Sequence, residues 1–280
     1  MACRDLTRGT EALERLRQAV PGALAELLLL DLASLSSVRA AAEQELASGL
    51  PLDVLINNAG VMAPPKRLQT VDGLELQFGT NVVGHFLLTA LLMPSLGKAS
   101  SARVVTVASI AHKRGRIQFD DLQSQIDYDP MVSYAQSKLA NLMFSLELER
   151  RLREVDSKVA SIACHPGVAA TNLFRTGDFG FFERIIRIVA SYAIGLFLNS
   201  ESQGALPTLF AATSALAHGG GYYGPQGFRE MRGGDVGPAR VQDQAKDLVA
   251  SAQLWCACEA LSGVRLLDPC RDMSGPSTPA

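Results

Sequence analysis

Leu52-Asp53-Val54-Leu55-Ile56-Asn57-Asn58-Ala59-Gly60 is the stretch on which the fold turns. A short, mostly apolar run stops at two asparagines and a glycine, as a buried strand does at polar punctuation. Three more runs share this form. Leu27-Leu28-Leu29-Leu30 enters Asp31, residues 103–108 end at Ser109, and residues 159–164 end at His165-Pro166-Gly167. Amphipathic patterns near 7–19, 34–48, 71–96 and 131–154 separate them. Short apolar runs alternating with helices predict an α/β fold whose parallel sheet is buried on both faces. Ligands of such sheets bind beyond the carboxyl ends of the strands, where this polar punctuation falls.

The length of 280 residues suits one large α/β domain, expected over 1–267, with a disordered tail rich in Ser, Pro and Gly over 268–280. A net charge of −2 leaves no basic footprint for nucleic acid. The five cysteines (Cys3, Cys164, Cys256, Cys258, Cys270) show no paired spacing, and Cys256-Ala257-Cys258 is too tight for a zinc site. No metal is expected, and reduced thiols in a cytoplasmic protein are. Met1-Ala2-Cys3-Arg4-Asp5 carries no apolar signal region. The apolar stretch 179–198 is broken by Glu183, Arg184 and Arg187, and its charge-free part, 188–198, is shorter than the ~20 residues of a spanning helix. No transmembrane segment is expected, and peripheral membrane contact stays open.

Chemistry concentrates in Ser133-Tyr134-Ala135-Gln136-Ser137-Lys138. A spacing of four places Tyr134 and Lys138 on one helix face. An ammonium beside a phenol favours the phenolate, so Tyr134 is expected to be lowered toward a value useful for general acid–base work. A Tyr/Lys pair alone is more often a surface pair; its company decides. Gly60 after a strand lets backbone approach a ligand. Asn81, set among Gly79, Thr80 and Gly84, is poor helix chemistry and predicts a local distortion.

These segments, in this order, resemble the short-chain dehydrogenase/reductase family over residues 1–267. The retinol-dehydrogenase-like branch is the most similar, on Ala2-Cys3-Arg4-Asp5, Gly84-His85-Phe86-Leu87-Leu88-Thr89, Ser109-Ile110-Ala111-His112 and Ser137-Lys138-Leu139-Ala140-Asn141. The resemblance implies a Rossmann-like doubly wound sheet and an oxidoreductase that moves a hydride between a nicotinamide cofactor and an alcohol/carbonyl pair. It assigns Tyr134 as catalytic acid/base and Lys138 as the residue that tunes it and bonds the nicotinamide ribose. Ser109 would hold the substrate oxygen, and Asn81 would support a water relay to the lysine. Asn58, Ala59 and Gly60 would line the adenosine side, and Asp31 would contact the adenine. His165, Pro166, Gly167 and Thr171 would form the loop beside the nicotinamide amide. Arg4 falls where NADP-preferring members place a cation for the 2′-phosphate, which makes NADP the expected cofactor and NAD the alternative.

Family members open with a first strand, a Thr-Gly-x-x-x-Gly-x-Gly loop, a helix and a second strand, none of which this sequence carries. Residues 1–5 resemble the end of the second strand. The expectation is therefore an N-terminally truncated sheet lacking the first strand, the glycine-rich loop and most of the second strand, through a misplaced start or a shortened gene model. The gap between the third and fourth strands would be roughly 14 Å at ~4.8 Å per spacing, forcing the third strand across or leaving an unpaired edge. The one formal G-x-G-x-x-G, Gly219-Gly220-Gly221-Tyr222-Tyr223-Gly224, follows a helical pattern and is read as a turn.

Between Thr171 and Asn199 the family folds a lid, here rich in Phe174, Phe179, Phe181, Phe182, Ile185 and Ile186. It suits a lipophilic alcohol or aldehyde, or packing on the core or a partner subunit. Kinship also implies a homodimer through the helices at 71–96 and 131–154. His112, Lys113, Arg114 and Arg116 are read as a solvated loop, His85 as a packed core histidine and His218 as an exposed one. Three functions compete: an NADP-linked oxidoreductase, a catalytically inactive remnant that binds partners or nothing, and an epimerase or dehydratase using the same Tyr/Lys pair. Asn57-Asn58-Ala59-Gly60 and the single-domain length favour the first.

Overall fold

Most helices begin at a side chain that accepts backbone N–H groups: Asp5, Ser34, Asp129, Ser200 and Asp247 each do so. These caps occupy orphan donors of the first turn and set where the chain changes from strand or loop to helix. The structure, a computed structural model, describes residues 1–168 and 199–267. In chain order the elements are β1 (Ala2–Cys3), α1 (Leu6–Ala19), β2 (Leu28–Leu29), α2 (Leu35–Ala47), β3 (Val54–Asn57), α3 (Leu76–Phe78) and α4 (Gly84–Leu96). β4 (Arg103–Val107), α5 (Pro130–Glu154), β5 (Ala160–Cys164), α6 (Glu201–Thr213), β6 (Tyr222–Pro225), β7 (Val236–Pro238) and α7 (Leu248–Ser262) follow.

Among the described residues β3, β4, β5, β6 and β7 form one sheet in that order, and β1 pairs only with β2. The pairings β3–β4, β4–β5 and β5–β6 are parallel, as the pattern predicts. β7 departs by running antiparallel to β6, because the chain returns through a local turn and needs no crossover helix. Gly219 to Gly221 make the expected turn, but Tyr222 onward is strand, so the turn reading holds for the first half only. Of the two arrangements open to the third strand, the open edge is found. β2 stays with β1, and among the described residues no strand pairs with the far edge of β3, where Ile56 is 41% exposed.

The sheet separates two cores. Leu55, Val104 and Ala163 pack with α4, α5 and α7 on one face; Val105, Val107, Ile162 and Cys164 pack with Ala211 and Ala212 of α6 on the other. Alternate residues of one strand thus reach opposite cores, the signature of a sheet covered on both sides. On the first face Trp255 meets Phe86 edge-on at 5.1 Å and stacks on Phe144 at 5.8 Å.

Leu76–Leu96 is a continuous helical stretch of 21 residues, apolar and long enough to cross a membrane. The sequence pattern marks 71–96 as helical but amphipathic, with the most apolar stretch elsewhere. Most of the helix is buried within the fold, and it packs as a core helix. Residues 179–198, Thr171 and the tail 268–280 lie outside the described residues. The expectation of reduced thiols holds for Cys3, Cys164 and Cys258; Cys256 is disulfide-bonded.

Candidate active site

Helix α5 carries the central pair. Asp129 caps it, Pro130 occupies its first turn, and the buried face of its next turns presents Ser133, Tyr134, Ser137 and Lys138. Tyr134 is 7% exposed and Lys138 5%. Lys138 Nζ lies 5.9 Å from the Tyr134 ring centre and donates to the Val107 carbonyl at 3.0 Å, at the end of β4. Ser109, two residues beyond, caps a 3-10 turn (Ile110–Arg114), its Oγ accepting from Ala111 N at 3.1 Å.

The distortion predicted at Asn81 is present: Gly79–Val83 is a π-helical turn between α3 and α4. Such turns carry one extra residue and recur at functional sites. The Asn81 amide accepts from Val61 N at 2.8 Å and donates to Val61 O and to Ser137 Oγ, both at 3.0 Å. It therefore ties the loop after β3 to α5. His85 is a packed core histidine as expected, with Nδ1 on the Asn81 carbonyl at 2.9 Å. Burial first, and the Lys138 charge after it, lower its pKa to about 4.

Electrostatics correct one expectation. Tyr134 is raised above the ordinary phenol value, by burial foremost, with a hydrogen bond to Ser109 opposing it. Lys138 does not bring it down, because the lysine is itself desolvated and turned to the Val107 carbonyl. Burial lowers Lys138 to about 8.

Gly60 comes close to this group. A Cβ there would stand 3.1 Å from Asn81 Oδ1 and 3.6 Å from Lys138 Nζ, so glycine keeps the backbone open beside the ammonium. Asn58 and Ala59 are exposed just before it. Asp31, half-buried after β2, accepts from Ala33 N at 2.9 Å; Arg4 is exposed after β1. Pro166 O accepts from Asn199 Nδ2 at 3.0 Å, and Gly167 holds φ +71° with Met231 O packed against it. Tyr134, Lys138, Ser109, Asn81 and Gly60 are thus brought together, while Arg4 and Asp31 belong to the small β1–β2 side.

The solvated-loop reading of His112 and Lys113 is overturned. His112 is 1% exposed, with Nδ1 on Ser109 O at 2.7 Å and its ring against Tyr222. Lys113 pairs with Glu230 at 2.6 Å. Sequence reasoning missed Ser137, Tyr222 and Glu230. Ser137 lay within the Tyr134/Lys138 motif, whereas the other two reach the site only through β6 and the loop after it.

For a nicotinamide nucleotide the fit is good at one end. Lys138 is a buried cation whose single acceptor, Val107 O, leaves ammonium protons for ribose hydroxyls, and it faces open backbone at Gly60. Among the described residues none forms a glycine-rich phosphate loop at the other end.

The family model for short chain dehydrogenase matches residues 2–178. The chain belongs to the short-chain dehydrogenase family. It is 37% identical over 279 residues to human (Homo sapiens) retinol dehydrogenase 14, covering 94% of this chain and 78% of that one. Mouse (Mus musculus) polyprenol dehydrogenase is 40% identical over 268 residues, at 94% and 76% coverage. The crystal structure of an uncharacterized protein from Mycobacterium paratuberculosis superposes with a TM-score of 0.71 at 38% identity, covering 96% of this chain and 85% of that one. This family chain is an NAD(P)-dependent oxidoreductase of the retinol-dehydrogenase-like branch, acting on an alcohol/carbonyl pair.

Proposed function

We propose that the chain interconverts a lipophilic alcohol and its carbonyl with NADP(H), through Tyr134, Lys138 and Ser109. The observation that carries this reading is the buried Lys138 ammonium, one helical turn from Tyr134 and facing open backbone at Gly60. When bound, the nicotinamide supplies or accepts the hydride. The chain's own residues handle the proton and the positioning. Tyr134 gives its phenolic proton to the substrate oxygen in reduction and takes it back in oxidation. Ser109 donates a hydrogen bond to the same oxygen. Lys138 would hold the ribose, and its ammonium charge would balance the phenolate as the proton leaves. Asn81 holds the loop of Gly60 against α5.

NADP rather than NAD is supported by the exposed Arg4 guanidinium beside the open end of β1, a bidentate, permanently charged partner for a 2′-phosphate. The retinol and polyprenol named for the two curated relatives support a lipophilic substrate, in keeping with the phenylalanine-rich stretch before Asn199.

The test is turnover of retinoid and polyprenol substrates with NADPH and NADH. Tyr134→Phe should lower kcat by about 10²–10⁴-fold while the melting temperature stays close to wild type. Retained turnover in that variant would sink the assignment, and equal use of NADH would remove the NADP preference.

A further inference from the structure

The pairing of β4 with β5 ends at Val107 and Cys164, and the loops that follow are no longer held by the sheet. One carries Ser109, the other Pro166 and Gly167. Between them stands Glu230. Its Oε1 accepts from Arg240 N at 2.9 Å, which anchors the carboxylate. Its Oε2 takes Lys113 Nζ at 2.6 Å from the Ser109 side and lies 3.8 Å from His165 Nε2 on the other side. The next residue, Met231, accepts through its carbonyl from Val168 N at 2.8 Å and packs on Gly167.

His165 is fully buried, and its tautomer follows from its neighbours. Nδ1 accepts from Gly167 N at 3.1 Å, so in the neutral ring the proton sits on Nε2. That Nε2–H is buried and has no hydrogen-bond partner. The nearest charged acceptor is Glu230, through a gap that a small closing movement or a water would span. Glu230 and Arg229 also hold left-handed backbone, φ 60° and 49°, which L residues rarely adopt. Strain of this kind persists where surrounding contacts over-determine the conformation.

We propose that Glu230 is a positioning residue for the reaction: its carboxylate clamps the Ser109 loop, through Lys113, to the Pro166–Gly167 loop, through His165. It thereby sets the separation between the hydroxyl that steadies the substrate oxygen and the backbone beside the nicotinamide. The inference rests on the role given to Ser109 under Proposed function and on the place beside the nicotinamide that the family resemblance implies for Pro166 and Gly167.

Glu230→Gln keeps an acceptor for Arg240 N but removes the anion. It should lower kcat by roughly 10- to 100-fold with KM little changed, the size expected when a site is misplaced by about 1 Å. Lys113→Met should lose as much, the double variant should be no worse than either single one, and Lys113→Arg should recover most of kcat. Losses that multiply in the double variant, or a lower melting temperature with kcat intact, would overturn the clamp. Amide NMR spectra probe the clamp without turnover. Either variant should move the resonances of Ala111 and Gly167, one on each loop. Changes confined to 227–240, Lys113 and His165 would overturn it. A wild-type chain without hydride transfer would retire the proposed function alone and leave the spectra to decide the clamp.

Discussion

β4 and β5 pair over five residues and are buried almost throughout, whereas β1 and β2 pair over two and leave Ala2 and Leu29 exposed. Both are parallel pairs followed by helices, so the difference is one of support. The first pair has a paired strand on each side and a core on each face. The second has neither. Tyr134, Lys138 and Ser109 stand on the supported side, where rotamers are locked by packing. Arg4 and Asp31, the residues expected at the far end of a dinucleotide, stand on the thin one. Proton handling demands sub-ångström placement, and the fold concentrates its rigidity there.

Four perturbations would break or sharpen that contrast. The largest effect expected of a single side chain is Trp255→Ala, which empties the Phe86–Phe144 cluster and should cost about 3–5 kcal/mol, against about 2 for Leu13→Ala in α1. Urea unfolding measures both, and equal losses would erase the contrast. Acid comes next. Burial lowers His85 and His165 to about 4, below the ordinary 6.5. The unfolded chain therefore binds more protons between those values. The stability these neutral rings contribute is complete above pH 6.5 and is lost as pH falls toward 4, on the order of 3 kcal/mol for each ring. Denaturation curves at pH 7 and 4.5 that coincide would contradict it.

Gly115→Ala is smaller. Its Cβ would meet Ala135 O at 2.5 Å and Leu139 Cβ at 2.9 Å, both fixed parts of α5, so a loss of about 1–3 kcal/mol is expected. Gly9→Ala would crowd the Cys3 thiol, which can rotate away, and meet the Leu27 methyls at ordinary contact distance, and should cost under about 1 kcal/mol. Thermal melts that rank the two the other way would show the thin side to be the stiffer. Asp5→Ala comes last: it removes the cap on Arg8 N and should weaken α1 by about 0.5 kcal/mol. Faster amide exchange at Arg8, with the global melt little moved, is the expected result.

The sequence shows most clearly what depends on local pattern. Apolar runs ending in Asp31, Asn57, Ser109 and His165 locate four strands because burial and punctuation are both local signals. The Tyr134/Lys138 spacing locates the site because a helix places such residues on one face. Asn81 betrays its distortion through poor helix chemistry. What escaped is long-range. β6 hides in a glycine-rich stretch that reads as a turn, and its partner β7 is three residues long. Glu230 acts across 117 residues of chain on Lys113, from a left-handed conformation no side-chain type announces. The direction of the Tyr134 shift also escaped: spacing reports that Lys138 is near, while only packing reports that both groups are dry.

The π-helical turn at Gly79–Val83 has a consequence for the chain's tolerance of length change. The wider turn absorbs its extra residue locally, so the helices before and after it keep one phase. Upstream, Gln77 meets the Ala63 amide; downstream, Phe86 and Leu87 enter the core. Deleting one residue within the turn would let the ladder close as plain α-helix with both sides still in place. What it would remove is the widened turn that carries Asn81 to Val61 and Ser137. A single-residue deletion here should therefore spare the core more than the catalytic loop.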